Sequence, residues 1–209
     1  MLCASLMLLG FSILTNARAD SDALDIDAAR DKAEQVSAQF FALADQNRDA
    51  DEYYAAIHAL VRDNFDLATI TRFILGPYGR TISKPQIEEF QSTVLEYIVY
   101  SYGGKIRNYR INQFSITGLH PGKRGTVRIS VRIMRDQDDP LDVDWRLRKL
   151  NGEWKIFDIS FAGLSMAITQ REEFTSYIAQ HNGDVAALIK RLRAQIDQTR
   201  NSNLSAQKG

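Results

Sequence analysis

The sequence contains only one cysteine, Cys3, and this scarcity excludes a disulfide framework and a zinc site built on thiolates. Its three histidines, His58, His120 and His181, lie far apart and show no metal-ligand spacing. The 26 Lys and Arg residues are balanced by 26 Asp and Glu residues, so the basic excess that is typical of nucleic-acid-binding proteins is missing. Composition therefore predicts no metal, no cofactor and no nucleic-acid partner.

What the sequence has in quantity is apolar and aromatic side chains. Its 209 residues are 44% hydrophobic and include 10 Phe, 8 Tyr and 2 Trp. This composition excludes a disordered chain, and the length suits one domain. Because the chain shows no internal repeat and no linker, we expect a single domain over residues 20–200 and a polar, disordered tail over 201–209.

The N-terminus has the pattern of a secretory signal peptide. The apolar run from Leu2 to Leu14 is shorter than the roughly 20 residues that a membrane-spanning helix needs. Ala17-Arg18-Ala19 forms an A-x-A cleavage site, and acidic and polar residues follow it. We therefore expect residues 1–19 to be a signal peptide that is cleaved after Ala19. No basic residue precedes the apolar run, which leaves the true start of the signal open.

Hydrophobic periodicity predicts four helices in the first half of the chain. They cover 27–46, 51–64, 67–75, and a segment that opens at Ser83 and stops at Gly103-Gly104. Asp66 is placed to cap the third helix. Ser83 and Gln86 form the pattern of a capping box at the start of the fourth.

From residue 106 the hydrophobic period changes to two, which predicts an antiparallel meander of strands. The predicted strands cover 106–117, 127–133, 141–148 and 154–161. Arg128, Arg132, Arg146 and Arg148 share the polar faces with Asp142 and Asp144, so we expect cross-strand ion pairs. Two more helices follow, from about 166 and from Asp184. The predicted fold is α+β, with about four N-terminal helices, a twisted four-stranded meander and two C-terminal helices.

Catalytic motifs are nearly absent. Gly163-Leu164-Ser165-Met166-Ala167 lies between a strand and a helix, where a nucleophile elbow would lie, but its last small residue is Ala. Only His181 follows it, and Glu172 and Glu173, which precede this histidine, would need a tight fold-back of the chain to orient it. The favoured interpretation is that Ser165 caps a helix. If the chain were an enzyme, Asp158 on the last strand would be the expected acid or base.

Large apolar side chains between long helices and a curved sheet either fill a solid core or leave an apolar cavity. A dry apolar cavity destabilises a protein unless a ligand fills it. Three classes of function stay open: a carrier of an apolar ligand, an enzyme with a cone-shaped pocket, and an adaptor with a solid core. An exported chain with such a cavity and without catalytic residues would be a carrier, and the chain is predicted not to be an enzyme.

Three stretches carry a resemblance to a known family. They are Phe65-Asp66-Leu67 through Leu75-Gly76 to Phe90; Trp154-Lys155-Ile156-Phe157-Asp158-Ile159 continuing to Gly163-Leu164-Ser165-Met166; and Arg171, Phe174, Ile178 and 184–192. In this order they resemble the MlaC family, the periplasmic phospholipid-binding proteins of an ABC-type lipid transport system, which include toluene-tolerance auxiliary proteins. The resemblance covers about residues 30–195, and Tyr78 stands where the family more often has Trp.

The resemblance implies a helical layer over a twisted antiparallel sheet, with acyl chains held between them and the headgroup toward solvent. It implies a periplasmic carrier that shuttles phospholipid between an inner-membrane ABC transporter complex and an outer-membrane lipoprotein complex. Some relatives are associated with hopanoid metabolism, so a hopanoid-related lipid is the alternative ligand.

We expect the lipid to contact inward-facing apolar side chains. The predicted lining residues are Phe73, Phe90, Val94, Tyr97, Ile98, Val131, Ile133, Val143, Trp145, Leu147, Ile156 and Ile159. Leu164 and Met166, which follow the last strand, are predicted to lie at the mouth of the cavity. Periodic spacing alone is equally compatible with a solid core at each of these positions.

Overall fold

The computed structural model describes residues 16–44, 49–108, 111–135 and 138–206, which form an α+β fold. The helices are α1 (Asn16–Ala44), α2 (Ala50–Asn64), α3 (Leu67–Leu75), α4 (Lys84–Asn108), α5 (Met166–Gln180) and α6 (Val185–Ala206). The strands are β1 (Ile111–Pro121), β2 (Thr126–Arg135), β3 (Leu141–Leu150), β4 (Glu153–Phe161) and β5 (Leu164–Ser165). None of the helices within these ranges is long and apolar enough to span a membrane.

The predicted helix starts are confirmed at four caps. Asp66 accepts a hydrogen bond from the Thr69 backbone N–H, and Ser165 accepts one from that of Ile168. At the start of α4, Gln86 Oε1 accepts from the Ser83 N–H at 3.1 Å, and Ser83 Oγ accepts from the Gln86 N–H at 3.4 Å. Asp184 likewise accepts from the Ala186 N–H at 2.8 Å. Each cap satisfies an N–H that has no partner within its helix.

The predicted end of α4 at Gly103-Gly104 is wrong, because the helix continues to Asn108. Gly103 is buried where helices pack closely: a Cβ atom on it would lie 3.1 Å from Tyr54 Cε1. Its carbonyl oxygen also accepts a hydrogen bond of 2.8 Å from the Tyr53 hydroxyl. The glycine therefore permits close packing against α2 and does not stop the helix. Since α4 is longer than predicted, β1 begins at Ile111 and not at 106.

At each end of the described chain, a helix extends into a segment that was predicted to lie outside the domain. The helix α1 begins at Asn16 and so includes the predicted cleavage site at Ala19, while residues 1–15 lie outside the described part. The helix α6 continues to Ala206, into the segment predicted as a disordered tail. Its last turns are held against α4, because the Arg200 guanidinium donates to the Tyr100 hydroxyl oxygen at 2.7 Å.

The sheet is an antiparallel meander with the strand order β1-β2-β3-β4-β5. At the β3–β4 turn, Asn151 and Gly152 both have positive φ, as the predicted tight hairpin requires. A second turn at Ala162-Gly163, also with positive φ, adds the two-residue β5, which was not predicted. On the outer face, Arg132 forms two hydrogen bonds to Asp142 and Arg128 pairs with Asp144, which confirms the predicted cross-strand ion pairs.

A bulge in β4 determines which of its side chains face inward. Leu147 pairs with Ile156, but the preceding Arg146 pairs with Asp158, so Phe157 is an extra residue in the strand. Because of this extra residue, Ile156 and Ile159 both lie on the inner face of the sheet.

The motif Phe65-Asp66 joins the helical layer to β4. Phe65 forms a parallel bridge with Ile156, and the Asp66 N–H donates to the Ile156 carbonyl at 2.8 Å. The buried Asp66 carboxylate caps α3 and forms an ion pair with Arg148 of β3. The start of α3 is therefore fixed to strands β3 and β4.

The buried apolar residues form two cores. One packs α1 and α2 against the inner face of β2, β3 and β4. The other joins α3, α4, α5 and α6, where Phe90 and Phe174 meet edge to face with their centroids 6.1 Å apart. The space between the two cores is the candidate site.

Candidate functional site

A cavity of about 490 Å³ lies between the helices and the inner face of the sheet. Its wall is formed by side chains from α1 to α5 and from β1 to β4, and it includes members of both cores. Period-2 alternation in the strands and the apolar faces of the helices bring these side chains together. The cavity lies in the place that the sequence predicted for an apolar binding site.

Nine of the predicted residues line this cavity. They are Val94, Tyr97, Ile98, Val131, Ile133, Val143, Trp145, Ile159 and Met166. Five of the nine come from consecutive strands, where the inward-facing register of β2, β3 and β4 places them side by side.

Three other predicted residues are buried but fill core space. Phe90 is fully buried against Phe174 in the helical core. Leu147 and Ile156, also fully buried, are paired across β3 and β4 and belong to the core that packs α1 and α2 on the sheet. Periodicity gives the face of an element, but it does not show whether a neighbouring side chain fills the space in front of it.

The remaining two predicted residues lie at the surface. Phe73 on α3 is 39% exposed, and the guanidinium carbon of Arg171 lies over its ring, 4.9 Å from the ring centroid. Leu164, predicted at the mouth, is 71% exposed in the short β5. Neither lines the cavity: α3 contributes Ile70 and Ile74 to the wall in place of Phe73, and β5 contributes no lining residue.

Sequence reasoning missed lining residues from every helix of the wall and from the sheet. They are Ser37, Phe40, Phe41, Ile57, Val61, Phe65, Ile70, Ile74, Tyr102, Gly103, Ile106, Ile111, Phe114, Leu141, Phe157, Asp158, Phe161, Ala167, Gln170 and Phe174. The apolar stripes of α1 and α2 were the available signal, since they predict a face that packs on the sheet.

The interior of the cavity is a low-dielectric environment. Burial raises the pKa of Tyr102 to about 12, with smaller effects from Tyr97 and Glu173. Burial likewise raises the pKa of Tyr97. Ionisation of either phenol would place a charge among apolar side chains, so both stay neutral at ordinary pH.

Asp158 is the only charged side chain among the described lining residues, and its oxygens have partners. Oδ1 accepts from the Ala167 N–H at 3.1 Å, and Oδ2 accepts from the Ser165 hydroxyl at 2.7 Å. Arg146 lies 3.5 Å from Oδ2. These contacts fix the start of α5 to β4, which is a structural role that fully accounts for the buried carboxylate.

The hydrolase arrangement considered from the sequence is not assembled. Ser165 caps α5 and donates to Asp158, as the favoured interpretation predicted for the cap. His181 lies at the opposite end of α5, where its Nδ1 is 2.8 Å from the Tyr177 carbonyl and its ring stacks on Tyr177. A serine nucleophile needs a base within hydrogen-bonding distance, and His181 is not placed to serve.

A second depression lies outside, between α1, α2 and the start of β4. Its volume is about 880 Å³, but it is open to solvent and is lined by charged groups that include Lys32, Asp63 and Lys155. Partial burial, together with the positive charge of Lys155, lowers the pKa of Lys32. An open groove with several charged groups suits an apolar ligand less well than the deeper cavity, whose lining is almost entirely apolar.

The MlaC protein family model matches residues 32–194, a span that contains the sheet, α2 to α5, the C-terminal part of α1 and the N-terminal part of α6. The chain belongs to the MlaC family. The resemblance that the three sequence stretches indicated is thereby confirmed.

Two relatives match parts of this MlaC-family chain. It is 31% identical over 97 residues to the intermembrane phospholipid transport system binding protein MlaC of Haemophilus influenzae, covering 44% of the chain and 45% of that protein. It is 20% identical over 140 residues to the toluene tolerance protein ttg2D of Pseudomonas putida, covering 66% of the chain and 64% of that protein. The matched segments thus span about half to two thirds of the length of these relatives.

A solved structure shares the fold. The phospholipid-binding protein of Ralstonia solanacearum, determined in complex with a phospholipid, matches 82% of this chain and 98% of its own with a TM-score of 0.70 and 18% identity. The α+β class predicted from the sequence is confirmed, with five strands in place of four.

Proposed function

We propose that this MlaC-family chain is a carrier that binds the acyl chains of a phospholipid in the cavity between the sheet and the helices. The observation that carries the proposal is the cavity itself, about 490 Å³ lined almost entirely by apolar side chains. The name of the Haemophilus relative and the lipid complex of the Ralstonia protein support the same ligand class.

The size of the cavity favours a state in which a ligand fills it. Empty apolar space destabilises a protein by about 24 cal/mol per Å³, so 490 Å³ would cost about 12 kcal/mol. That figure is comparable to the whole stability of a domain, about 5–15 kcal/mol. Water does not relieve the cost, because a water molecule needs polar partners that an apolar wall does not supply. A hydrophobic ligand relieves it.

Acyl chains fit both the volume and the chemistry of the wall. At about 30 Å³ for a water-sized group, the cavity holds on the order of 16 methylenes, which is one long chain or parts of two. At about 0.8 kcal/mol per buried methylene, this is about 13 kcal/mol relative to water. A bilayer offers the same stabilisation, so transfer between a membrane and the cavity would need little net energy.

The lining contains no cation within the described residues, so no charged side chain of the cavity wall would attract a phosphate group. The headgroup would therefore stay toward solvent, and affinity would come from the chains. Direction would come from docking to an inner-membrane ABC transporter complex and an outer-membrane lipoprotein complex in the periplasm. The chain would reach that compartment through cleavage of residues 1–19, and the structural contacts of Asp158 support a carrier without catalysis.

Native mass spectrometry of the mature chain, purified without detergent and then extracted with organic solvent, tests this proposal. We expect a stoichiometric glycerophospholipid. A hopanoid in its place would keep the carrier function and change the ligand. A protein mass without ligand, unchanged after incubation with phospholipid vesicles, would contradict the proposal.

A further inference from the structure

Two hydrogen-bond donors in the cavity wall have no acceptor among the described residues. Ser37 Oγ of α1 and Trp145 Nε1 of β3 both belong to residues that line the cavity, and these residues are only 7% and 5% exposed. Buried donors without a partner are rare in folded proteins, because burial removes the hydrogen bonds that water would supply. A ligand acceptor is the simplest way to satisfy them.

The two donors are associated with one region of the wall. Phe40 lies three residues after Ser37 and therefore on the same face of α1. The Phe40 ring meets the Trp145 indole edge to face, with centroids 5.9 Å apart. Both donors thus flank Phe40, which itself lines the cavity. One ligand segment in contact with Phe40 would pass close to both.

Five other buried side-chain atoms of the described residues have no hydrogen-bond partner: Asp66 Oδ2, Arg148 Nε, Trp154 Nε1, Gln170 Oε1 and Gln195 Oε1. Of these five residues, only Gln170 lines the cavity. Gln170 Oε1 also lines the cavity, but its amide nitrogen is 3.4 Å from the Tyr102 hydroxyl oxygen, and exchange of the two amide atoms would pair the oxygen there. Trp154 Nε1 has no acceptor either, but Trp154 lies at the outer depression and not in the cavity. Ser37 and Trp145 remain the donors that a ligand must satisfy.

The group that accepts these hydrogen bonds must enter the cavity together with the acyl chains of the lipid. This step rests on the proposed function. The methylene groups of the acyl chains carry no hydrogen-bond acceptor. The phosphate group is excluded, because the one charged group in the described wall, Asp158, is negative. The acceptors left are the ester carbonyl oxygens at the heads of the chains. We propose that Ser37 and Trp145 donate hydrogen bonds to these carbonyls, so that the cavity selects ester-linked over ether-linked lipids.

A competition between two lipids measures this selection. The mature chain is incubated with vesicles that contain equal amounts of a diacyl and a dialkyl phosphatidylethanolamine of the same chain length, and the bound ratio is read by native mass spectrometry. One neutral hydrogen bond corresponds to about fivefold in Kd. We expect a diacyl excess of about 25-fold, reduced about fivefold by Ser37→Ala and about fivefold by Trp145→Phe.

The control is Trp154→Phe, which removes a similarly unpartnered indole N–H outside the cavity and should leave the ratio unchanged. Comparing variants with wild type cancels any difference in how the two lipids leave the vesicle. Equal binding of both lipids by the wild type, or a diacyl excess that persists in the Ser37→Ala/Trp145→Phe double variant, would overturn the inference and leave the carrier function intact. Retention of neither lipid would overturn both.

Discussion

Filling the cavity should stabilise the protein without ligand and weaken lipid binding. Val131 of β2 is buried and lines the cavity. The change Val131→Trp adds seven non-hydrogen atoms, roughly three water volumes or about 90 Å³. At about 24 cal/mol per Å³ of cavity removed, the delipidated variant should gain about 2 kcal/mol in free energy of unfolding.

The tryptophan side chain also takes this volume away from the bound lipid. Three methylenes at about 0.8 kcal/mol each amount to about 2.4 kcal/mol. Lipid affinity should therefore fall about 50-fold. Urea unfolding of the delipidated chain and titration with a fluorescent phospholipid measure the two effects separately.

The matched control is Val127→Trp, on the same strand and the same face, four residues away. Val127 is buried in the sheet core but does not line the cavity. Overpacking should destabilise this variant by about 1–3 kcal/mol. If Val131→Trp destabilised the protein as much as Val127→Trp does, the cavity would not exist in solution and the reasoning would fail.

Three further changes test the contacts around the cavity. Asp158→Asn removes the charge that holds Ser165, Ala167 and Arg146. The free energy of unfolding in urea should therefore fall by about 1–3 kcal/mol. Loss of bound lipid at unchanged stability would contradict the structural role. Gly103→Ala should destabilise the chain by about 1–3 kcal/mol, because the new Cβ would lie 3.1 Å from Tyr54 Cε1; a gain in thermal stability would show that the helices do not pack there. The pKa of Tyr102 is raised from 10.0 to about 12, so its contribution to stability is complete below pH 10 and is lost as the pH rises through 12. Ultraviolet titration should show that Tyr102→Phe removes one phenol that ionises near pH 12, and an unchanged titration curve would exclude the buried position.

The sequence predicted the elements well where local chemistry decides them. The caps at Asp66, Ser83 and Asp184 and the hairpin at Asn151-Gly152 are set by residues that are adjacent in the chain. Such features need no knowledge of the tertiary structure. The α+β class followed from the same local patterns.

The wrong predictions concern features that depend on contacts between residues far apart in the sequence. Gly103 was interpreted as a helix stop because its packing against Tyr54, about fifty positions earlier in the chain, is invisible in the local sequence. Phe90 and Leu147 were predicted as lining although neighbours from other elements fill the space beside them. Ser37 was missed because a lone serine on an apolar helix face carries no signal until the cavity is seen. The bulge at Phe157, which reorients the end of β4, was likewise not predicted.

The central claim is that acyl chains occupy the cavity, and the two tryptophans test it directly. Trp145 lines the cavity and Trp154 does not. Phospholipids with brominated acyl chains quench indole fluorescence on close contact. The account predicts strong quenching in Trp154→Phe, where only Trp145 emits, and little in Trp145→Phe. Bound lipid with equal quenching in both variants, or with quenching of Trp154 alone, would contradict it.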